Sequence, residues 1–393
     1  MGTYLPLLVL LLIIAAALRD DFALTLIYLF VGAFAGGIWW TRRSLSRLEV
    51  ERSFSARAFL GEKVKFEIKV KNPGWLPLPW VQIQDGLPVG LSSTPTFERV
   101  TTLGPKSTTG FGYTLEARKR GYYPVGPLSL STGDILGLNR PLQKNAPAQY
   151  LTVYPKIIPL ASIKIPSRSP QGTLRHAQPL FEDPTRVMGK RDYMAGDSLR
   201  RVDWKATAAT GRMQVKMFEP SIALETLLCL NLNEDDYHFR QRIDSMELAI
   251  VIAASLASWI AQKRQTFGLL VNGLDLPSGE PPRPLPPRKG GAHLMRLLES
   301  LARVGATRQA PFLPMLQRQR SQLPWGTTLI VITGQVDEAL LGELYQSRKA
   351  GQEVLLIQAG AVTYSRQTQT LAGLYGIPLV SIQNERGLDI WKK

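Results

Sequence analysis

"LETLLCLNLNEDD", Leu224–Asp236, decides the fold of the C-terminal half. Apolar residues run almost unbroken from Leu224 to Leu232 and then give way to Asn, Glu and Asp. A short continuous apolar run is the pattern of a strand buried on both faces, as in parallel sheets. Next, "RIDSMELAIVIAASLASWIAQKR" sets Ile243, Met246, Ile250, Ala253, Ala257 and Ile260 at helical spacing. "FGLLVNG", "TTLIVITG", "EVLLIQAG" and "IPLVSIQ" are strand-like, while "HLMRLLESLARVG" and "DEALLGELYQSRKAG" are helical. Such alternation predicts a doubly wound α/β domain over residues 223–393. Its one interruption, "LPSGEPPRPLPPRKGGA", is predicted to be a stiff surface loop. Ligands of such sheets bind outside the carboxyl ends of the strands. Two of those ends are polar: "NLNEDD", and "ITGQVD" with Thr333 and Asp337.

Upstream the period changes. "VKFEIKVKN" sets Val64, Phe66, Ile68 and Val70 against Lys65, Glu67, Lys69 and Lys71. Strict alternation predicts a strand with one wet face. "PWVQIQDGLP", "FGYTLEARKRGYYPVGPLSLST" and "YLTVYP" repeat it between turn residues. Residues 49–155 are therefore predicted to form an immunoglobulin-like β-sandwich, a spacer or binding platform without chemistry of its own.

The N-terminus holds two uncharged runs, Tyr4–Leu18 and Phe22–Trp40, parted by Arg19, Asp20 and Asp21. The second approaches the ~20 residues a helix needs to cross a bilayer. Ala15–Ala17 resembles a signal-peptide cleavage region, but no basic residue precedes the run and a second apolar run follows at once. The expectation for residues 1–48 is a transmembrane helical hairpin with a basic flank. Trp39 and Trp40 sit where an interfacial belt belongs, and Arg42, Arg43 and Arg47 follow. Positive flanks stay inside, so both ends and the globular part are expected in the cytoplasm of a two-pass protein in the inner membrane.

The chain has 393 residues, 47 Lys+Arg against 31 Asp+Glu, and one cysteine, Cys229. The basic balance favours anionic partners without choosing among phospholipid, acidic protein and nucleic acid. One cysteine excludes an intrachain disulfide, and His176, His238 and His293 are too scattered for a zinc site. There is no P-loop and no Gly-x-Ser-x-Gly elbow, and Cys229 falls inside a buried strand, wrong for a nucleophile.

Between the two globular parts, residues 156–222 contain "YMAGDSLRRVDWKATAATGRMQVKMFEP", Tyr193–Pro220. Asp197 is predicted to cap a helix from Ser198 to Thr210, stopped by Gly211, with Leu199, Val202, Ala206 and Ala209 on a buried face. "RMQVKMF" then alternates as a strand. Tyr193, Gly196, Asp197, Arg200, Trp204, Lys205, Thr207 and Ala208, with Phe218 and Glu219, resemble the hallmark of the domain-of-unknown-function 58 family, a bacterial membrane family. "RGYYPVGPLSLSTGDILGL" is similar to that family's upstream run, with Ile135 and Leu136 in place of its Pro and Phe.

The resemblance implies a membrane-bound partner or adaptor of a MoxR-type AAA+ ATPase, working beside transglutaminase-like membrane proteins. Tyr193, Gly196, Asp197, Arg200, Asp203, Trp204, Lys205 and Thr207 are then a partner-binding or interdomain signature. The α/β part resembles the von Willebrand factor A fold. That likeness aligns Asn231, Asn233 and Asp235 with the family's first metal-binding loop, and Thr333 joins them as a degenerate candidate. Its last loop here reads Thr333-Gly334-Gln335, without the usual Asp. The expectation is no cofactor. Magnesium or manganese on these residues is the alternative, since amide and carboxylate oxygens both suit hard cations.

The function expected is thus a non-enzymatic membrane-anchored interaction protein. A metal-dependent hydrolase or metal-dependent ligand-binding domain is the first alternative. A nucleic-acid binder ranks last, because the basic residues are not interleaved with stacking aromatics.

Overall fold

The structure, a computed structural model, describes residues 10, 13–14, 21–134, 141–161, 163, 182–194, 197–220, 225–360 and 366–391. It divides into two compact units, Met1–Lys156 and Ile157–Lys393.

The first unit begins with a helix, Asp21–Arg47. Its Leu24–Arg47 portion is long and apolar enough to cross a membrane and is mostly unburied. The first apolar run lies almost wholly outside the described residues, so the hairpin is not seen as a pair. The residues expected as a basic flank are helical through Arg47. The reason is packing: Leu45 and Leu48 are buried against the sheets that follow. Trp40 Nε1 donates to the Pro77 carbonyl at 2.9 Å, and Lys144 Nζ donates to the Leu48 carbonyl at 2.6 Å.

Ten strands follow: β1 (Glu49–Ser53), β2 (Arg57–Phe59), β3 (Lys63–Lys71), β4 (Leu78–Gly86), β5 (Thr96–Leu103), β6 (Thr108–Glu116), β7 (Gly121–Val125), β8 (Leu128–Thr132), β9 (Leu142–Ala146) and β10 (Gln149–Tyr154). They pair as β1-β3-β6, β2-β10-β7 and β5-β4-β8-β9. In β3 the residues alternate strictly between buried and exposed, as the period of two predicts. Ile68 and Val70 pack on Ile83 and Leu130 of the four-stranded sheet, while Val64 and Phe66 pack on Val125 and Leu151 of the other. One face of β3 thus closes a sandwich over both partner sheets.

Inside that sandwich lies an ion pair. Arg52 Nη1 meets Asp85 Oδ1 at 2.6 Å with both side chains buried. Tyr113 donates to the second carboxylate oxygen at 2.7 Å, and Arg52 Nε donates to Gln149 Oε1 at 3.1 Å. Burial pushes the Asp85 carboxyl up despite these partners, and burial beside Asp85 pushes the Tyr113 phenol up as well.

The second unit opens with a hairpin, β11 (Glu182–Asp192) paired antiparallel with β12 (Gln214–Pro220). After it come β13 (Glu225–Leu230), β14 (Thr266–Val271), β15 (Leu274–Asp275), β16 (Leu285–Arg288), β17 (Val304–Gly305), β18 (Thr328–Thr333), β19 (Glu353–Ala359) and β20 (Leu379–Ile382). Six of them form one sheet in the order β16-β14-β13-β18-β19-β20. All neighbours are parallel except β16, which runs antiparallel to β14. Four residues of the proline-rich stretch, expected as loop, thus form an edge strand. Proline is tolerated there because an edge leaves one side of the ladder unpaired.

The middle strands are buried at every residue. Helices Phe312–Arg320 and Glu338–Lys349 pack on the face carrying Cys229, Val331 and Leu356. Helix Arg242–Gln262 is apolar enough to pass for a membrane span but is mostly buried in this unit. It lies against β13, β14, β18 and β19, beside helix Gly291–Arg303. Counting the sheet's own strands in chain order gives 3-2-1-4-5-6, doubly wound, and the order reverses between β13 and β18.

Candidate functional site

Two places collect the residues singled out by the sequence. The first is the hairpin β11–β12 and the segment between its strands. That segment is not one helix from Ser198. A 3-10 turn covers Leu199–Arg201, and the helix proper is Trp204–Thr210. The break has a cause in the backbone. Val202 bridges to Val215, and the Asp203 N–H donates to the Gln214 carbonyl at 2.8 Å. These β-type bonds pull the chain out of helical geometry at residues 202–203.

Asp203, not Asp197, is consequently the cap. Its Oδ1 accepts from the Ala206 N–H at 3.1 Å, while Lys190 Nζ lies 2.9 Å from its Oδ2. Gly211 ends the helix in the left-handed region at φ 68°, where glycine is free of Cβ strain. Thr207 staples helix to strand: its hydroxyl donates to the Asp203 carbonyl and accepts from the Gln214 N–H.

Asp197 serves the loop. Its two oxygens take a bidentate pair from Arg191, both at 2.7 Å, and one also accepts from the Met194 N–H. The Arg191 guanidinium, helped by that N–H, holds the Asp197 carboxyl below the usual carboxylate range; Lys190 and the Ala206 N–H do the same for Asp203. The Tyr193 N–H donates to the Met213 carbonyl across the base of the loop.

The apolar face expected to be buried is not. No residue of helix Trp204–Thr210 is buried. Trp204 is 66% exposed, Leu199 61% and Met194 66%. Lys205 is exposed as well, while Tyr193, Asp203 and Thr207 are half-buried. Among the described side chains of the hairpin and its loop, Val202 and Val215 are the ones buried. The helix faces solvent because hydrogen bonds and ion pairs, not packing, hold it to the hairpin. Gly196, Ile135, Leu136, and the side chains of Arg200, Phe218 and Glu219 lie outside the described parts.

The second place is the reversal point of the sheet. A cleft of about 200 Å³ opens where β13 and β18 end, walled by Pro311, Phe312, Leu313 and Leu340 and floored by Asn231, Asn233, Asp236 and Thr333. Asn231 and Thr333 are buried. Asn231 Nδ2 donates to Asp236 Oδ2 at 2.7 Å and to Thr333 Oγ1 at 3.0 Å. Its Oδ1 accepts from the Asn233 N–H at 3.0 Å and from Asn272 Nδ2 at 2.8 Å. Tyr237 donates to the Asn231 carbonyl at 2.6 Å, and burial raises its phenol pKa. Gly334 is needed here, since a Cβ would strike the Tyr237 ring and the Asp236 carbonyl.

Of the sequence-nominated metal residues, Asn231, Asn233 and Thr333 meet here and Asp235 does not. Asp235 is exposed and sits 3.6 Å from Arg308. Asp236 takes the inner place, because the 3-10 turn Glu234–Asp236 rotates its side chain toward Asn231. Asp337 caps helix Glu338–Lys349 through the Leu340 N–H.

The arrangement does not fit a divalent cation. Magnesium and manganese want several oxygens converging on one point. Between Asp236 and Thr333 stands an amide nitrogen whose hydrogens already point at both oxygens. Among the described residues no three His, Cys, Asp or Glu side chains group as metal ligands. Cys229 is buried, with its thiol pushed up to about 12 by desolvation, so it offers no thiolate.

Asn272, Asp236 and Tyr237 were not singled out by sequence reasoning. Asn272 carried a usable signal: like Asn231, it is a polar residue directly after an apolar strand. The sandwich network of Arg52, Asp85 and Tyr113 had none, since Asp85-Gly86 reads equally well as a turn.

Comparison with known proteins finds one family model, described as "Protein of unknown function DUF58", matching residues 189–357. The match runs from within β11 to within β19 and so takes in both places described. The uncharacterized protein YeaD of Bacillus subtilis (strain 168) is 23% identical over 299 residues, covering 72% of this chain and 68% of its own length. Among solved structures, the CARDB domain of a Pyrococcus furiosus protein, in complex with di-metal ions, aligns at 16% identity. It covers 27% of this chain and 91% of its own, with a TM-score of 0.20. A β-glucosidase from Listeria innocua aligns at 12% identity over 27% of this chain and 16% of its own, with a TM-score of 0.19. At such TM-scores neither likeness bears on the fold.

Proposed function

We propose that this protein is a non-enzymatic, membrane-anchored interaction protein whose partner docks on the Trp204 face of the β11–β12 hairpin. One observation carries the reading. A short helix within the family-matched segment presents a tryptophan, 66% exposed, and buries none of its own residues. Tryptophan is among the residues most enriched at interface hot spots, where a rigid aromatic fills a partner's pocket. Lys205 beside it is exposed, and the chain is strongly basic, which suits a partner surface with acidic groups round an apolar socket.

The family resemblance puts a MoxR-type AAA+ ATPase first among candidate partners, with a transglutaminase-like membrane protein second. The anchor is helix Asp21–Arg47. Arg42, Arg43 and Arg47 at its exit favour a cytoplasmic globular part. The finer reading of the second unit as a von Willebrand factor A-like domain is supported by the doubly wound strand order and by polar loops at the β13/β18 reversal.

Affinity purification of the full chain from mild detergent tests the docking face. Wild type is expected to carry an AAA+ ATPase with it, and Trp204→Ala to lose most of it while unfolding at the same temperature. Equal recovery with both chains, or no ATPase with either, overturns the reading.

A further inference from the structure

The orientation of the Asn231 carboxamide is fixed from every side. The Asn233 N–H can only donate, so the atom facing it is the oxygen. The Asp236 carboxylate accepts, so the atom facing it is the nitrogen. Asn272 is fixed in turn: its Oδ1 accepts from the Leu232 N–H at 2.6 Å, and its Nδ2 donates to the Ala310 carbonyl at 2.9 Å as well as to Asn231. The Thr333 hydroxyl donates to the Gln335 carbonyl at 3.1 Å, which leaves its lone pair for Asn231 Nδ2. Both donors and both acceptor positions of one buried amide are therefore used.

We infer that the Asn231 side-chain amide is a built-in substitute for a divalent cation at the β13/β18 reversal, and that the cleft is assembled without metal. The two polarised N–H bonds of this neutral amide present partial positive charge to Asp236 and Thr333 and draw them together. Because the amide is covalently part of the chain, the loops carrying Asp236, Thr333 and Asn272 are joined at any cation concentration. The inference is independent of the docking reading for Trp204.

The corresponding carboxylate shows what the amide replaces. Asn231→Asp would set two carboxylates across the 2.7 Å now spanned by a hydrogen bond. Like charges that close cannot both ionise without a counter-ion. The variant would also gain the second carboxylate that a hard cation needs beside the Thr333 hydroxyl and the Asn233 amide oxygen, which is buried and has no hydrogen-bond partner among the described residues.

The full chain in detergent, titrated with Mn2+ and followed by melting temperature and by the electron paramagnetic resonance signal of free Mn2+, tests this. Wild type is expected to show no shift, whereas Asn231→Asp melts several degrees lower, regains that loss with Mn2+ and holds one more ion per chain than wild type. The charge-exchanged double variant Asn231→Asp with Asp236→Asn restores a carboxylate–amide bridge. It is expected to melt near wild type and to ignore Mn2+, which keeps the test decisive where the single variant does not fold. A wild type stabilised by Mn2+, an Asn231→Asp chain that folds normally and ignores the ion, or an unfolded double variant overturns the inference.

Discussion

The Arg52–Asp85 pair of the sandwich and the Arg191–Asp197 pair of the hairpin have nearly the same length, 2.6 and 2.7 Å, and opposite surroundings. In the first, both side chains are buried; in the second, 39% and 19% of the two side chains face solvent. Burial drives the Asp85 carboxyl up, while the guanidinium drives the Asp197 carboxyl down. Distance alone therefore says little about what an ion pair contributes. In the sandwich, ions stripped of water need each other, and Tyr113 and Gln149 complete their hydrogen bonding. In the hairpin, water shares the load and the pair shapes a loop. One pair locks a core; the other fixes the loop before a short, solvent-facing helix.

The largest effect is expected where the pair is buried. Asp85→Ala should cost about 3–5 kcal/mol, because it strands the Arg52 charge in the sandwich. The double variant Arg52→Met with Asp85→Leu should recover most of that loss, since replacing both ions removes the desolvation cost of each. Urea midpoints of the sandwich transition compare the two. A double variant no better than the single one would break the contrast drawn between the regions.

A local effect is expected from Asp203→Ala. Helix Trp204–Thr210 loses its cap and its tie to Lys190, so amide exchange at Ala206 and Thr207 should quicken several-fold while the global midpoint stays put. A shifted global midpoint would mean that the hairpin is part of the core after all.

Acid should act on the hairpin late. Asp197 and Asp203 have folded pKa values below the unfolded value of about 3.9, so their support is complete above that pH and fades as pH falls through the folded values. Amide shifts of labelled Met194 and Ala206 should hold steady down to about pH 4 and move together below it. Movement near neutrality would show that other groups hold the loop. The smallest stability effect belongs to Trp204→Ala, within about 0.5 kcal/mol, as for other exposed side chains.

Much of the scaffold was legible. The alternation in β3 and the unbroken apolar runs of β13, β18 and β19 emerge with the burial they imply, because a period in sequence maps directly onto a face in space. The signature segment was harder. Its Leu199, Val202, Ala206 and Ala209 fit a helical face, yet the backbone leaves the helix at Val202 to pair with Val215. That choice depends on a strand more than ten residues away. In the cleft, Asn231, Asn233 and Thr333 were nominated one by one, whereas Asp236 and Asn272 enter only through loop geometry.

The sequence by itself thus determined the periods of the core: where the sandwich strands and the central parallel strands fall, which of their faces are apolar, and which polar residues end them. Tertiary structure alone decided how the charges are used. Whether Trp204 points inward or out, whether Asp85 is a turn residue or a buried ion, and which partners the Asn231 amide takes all depend on solvation and on groups brought in from distant strands. Local sequence carries no measure of either.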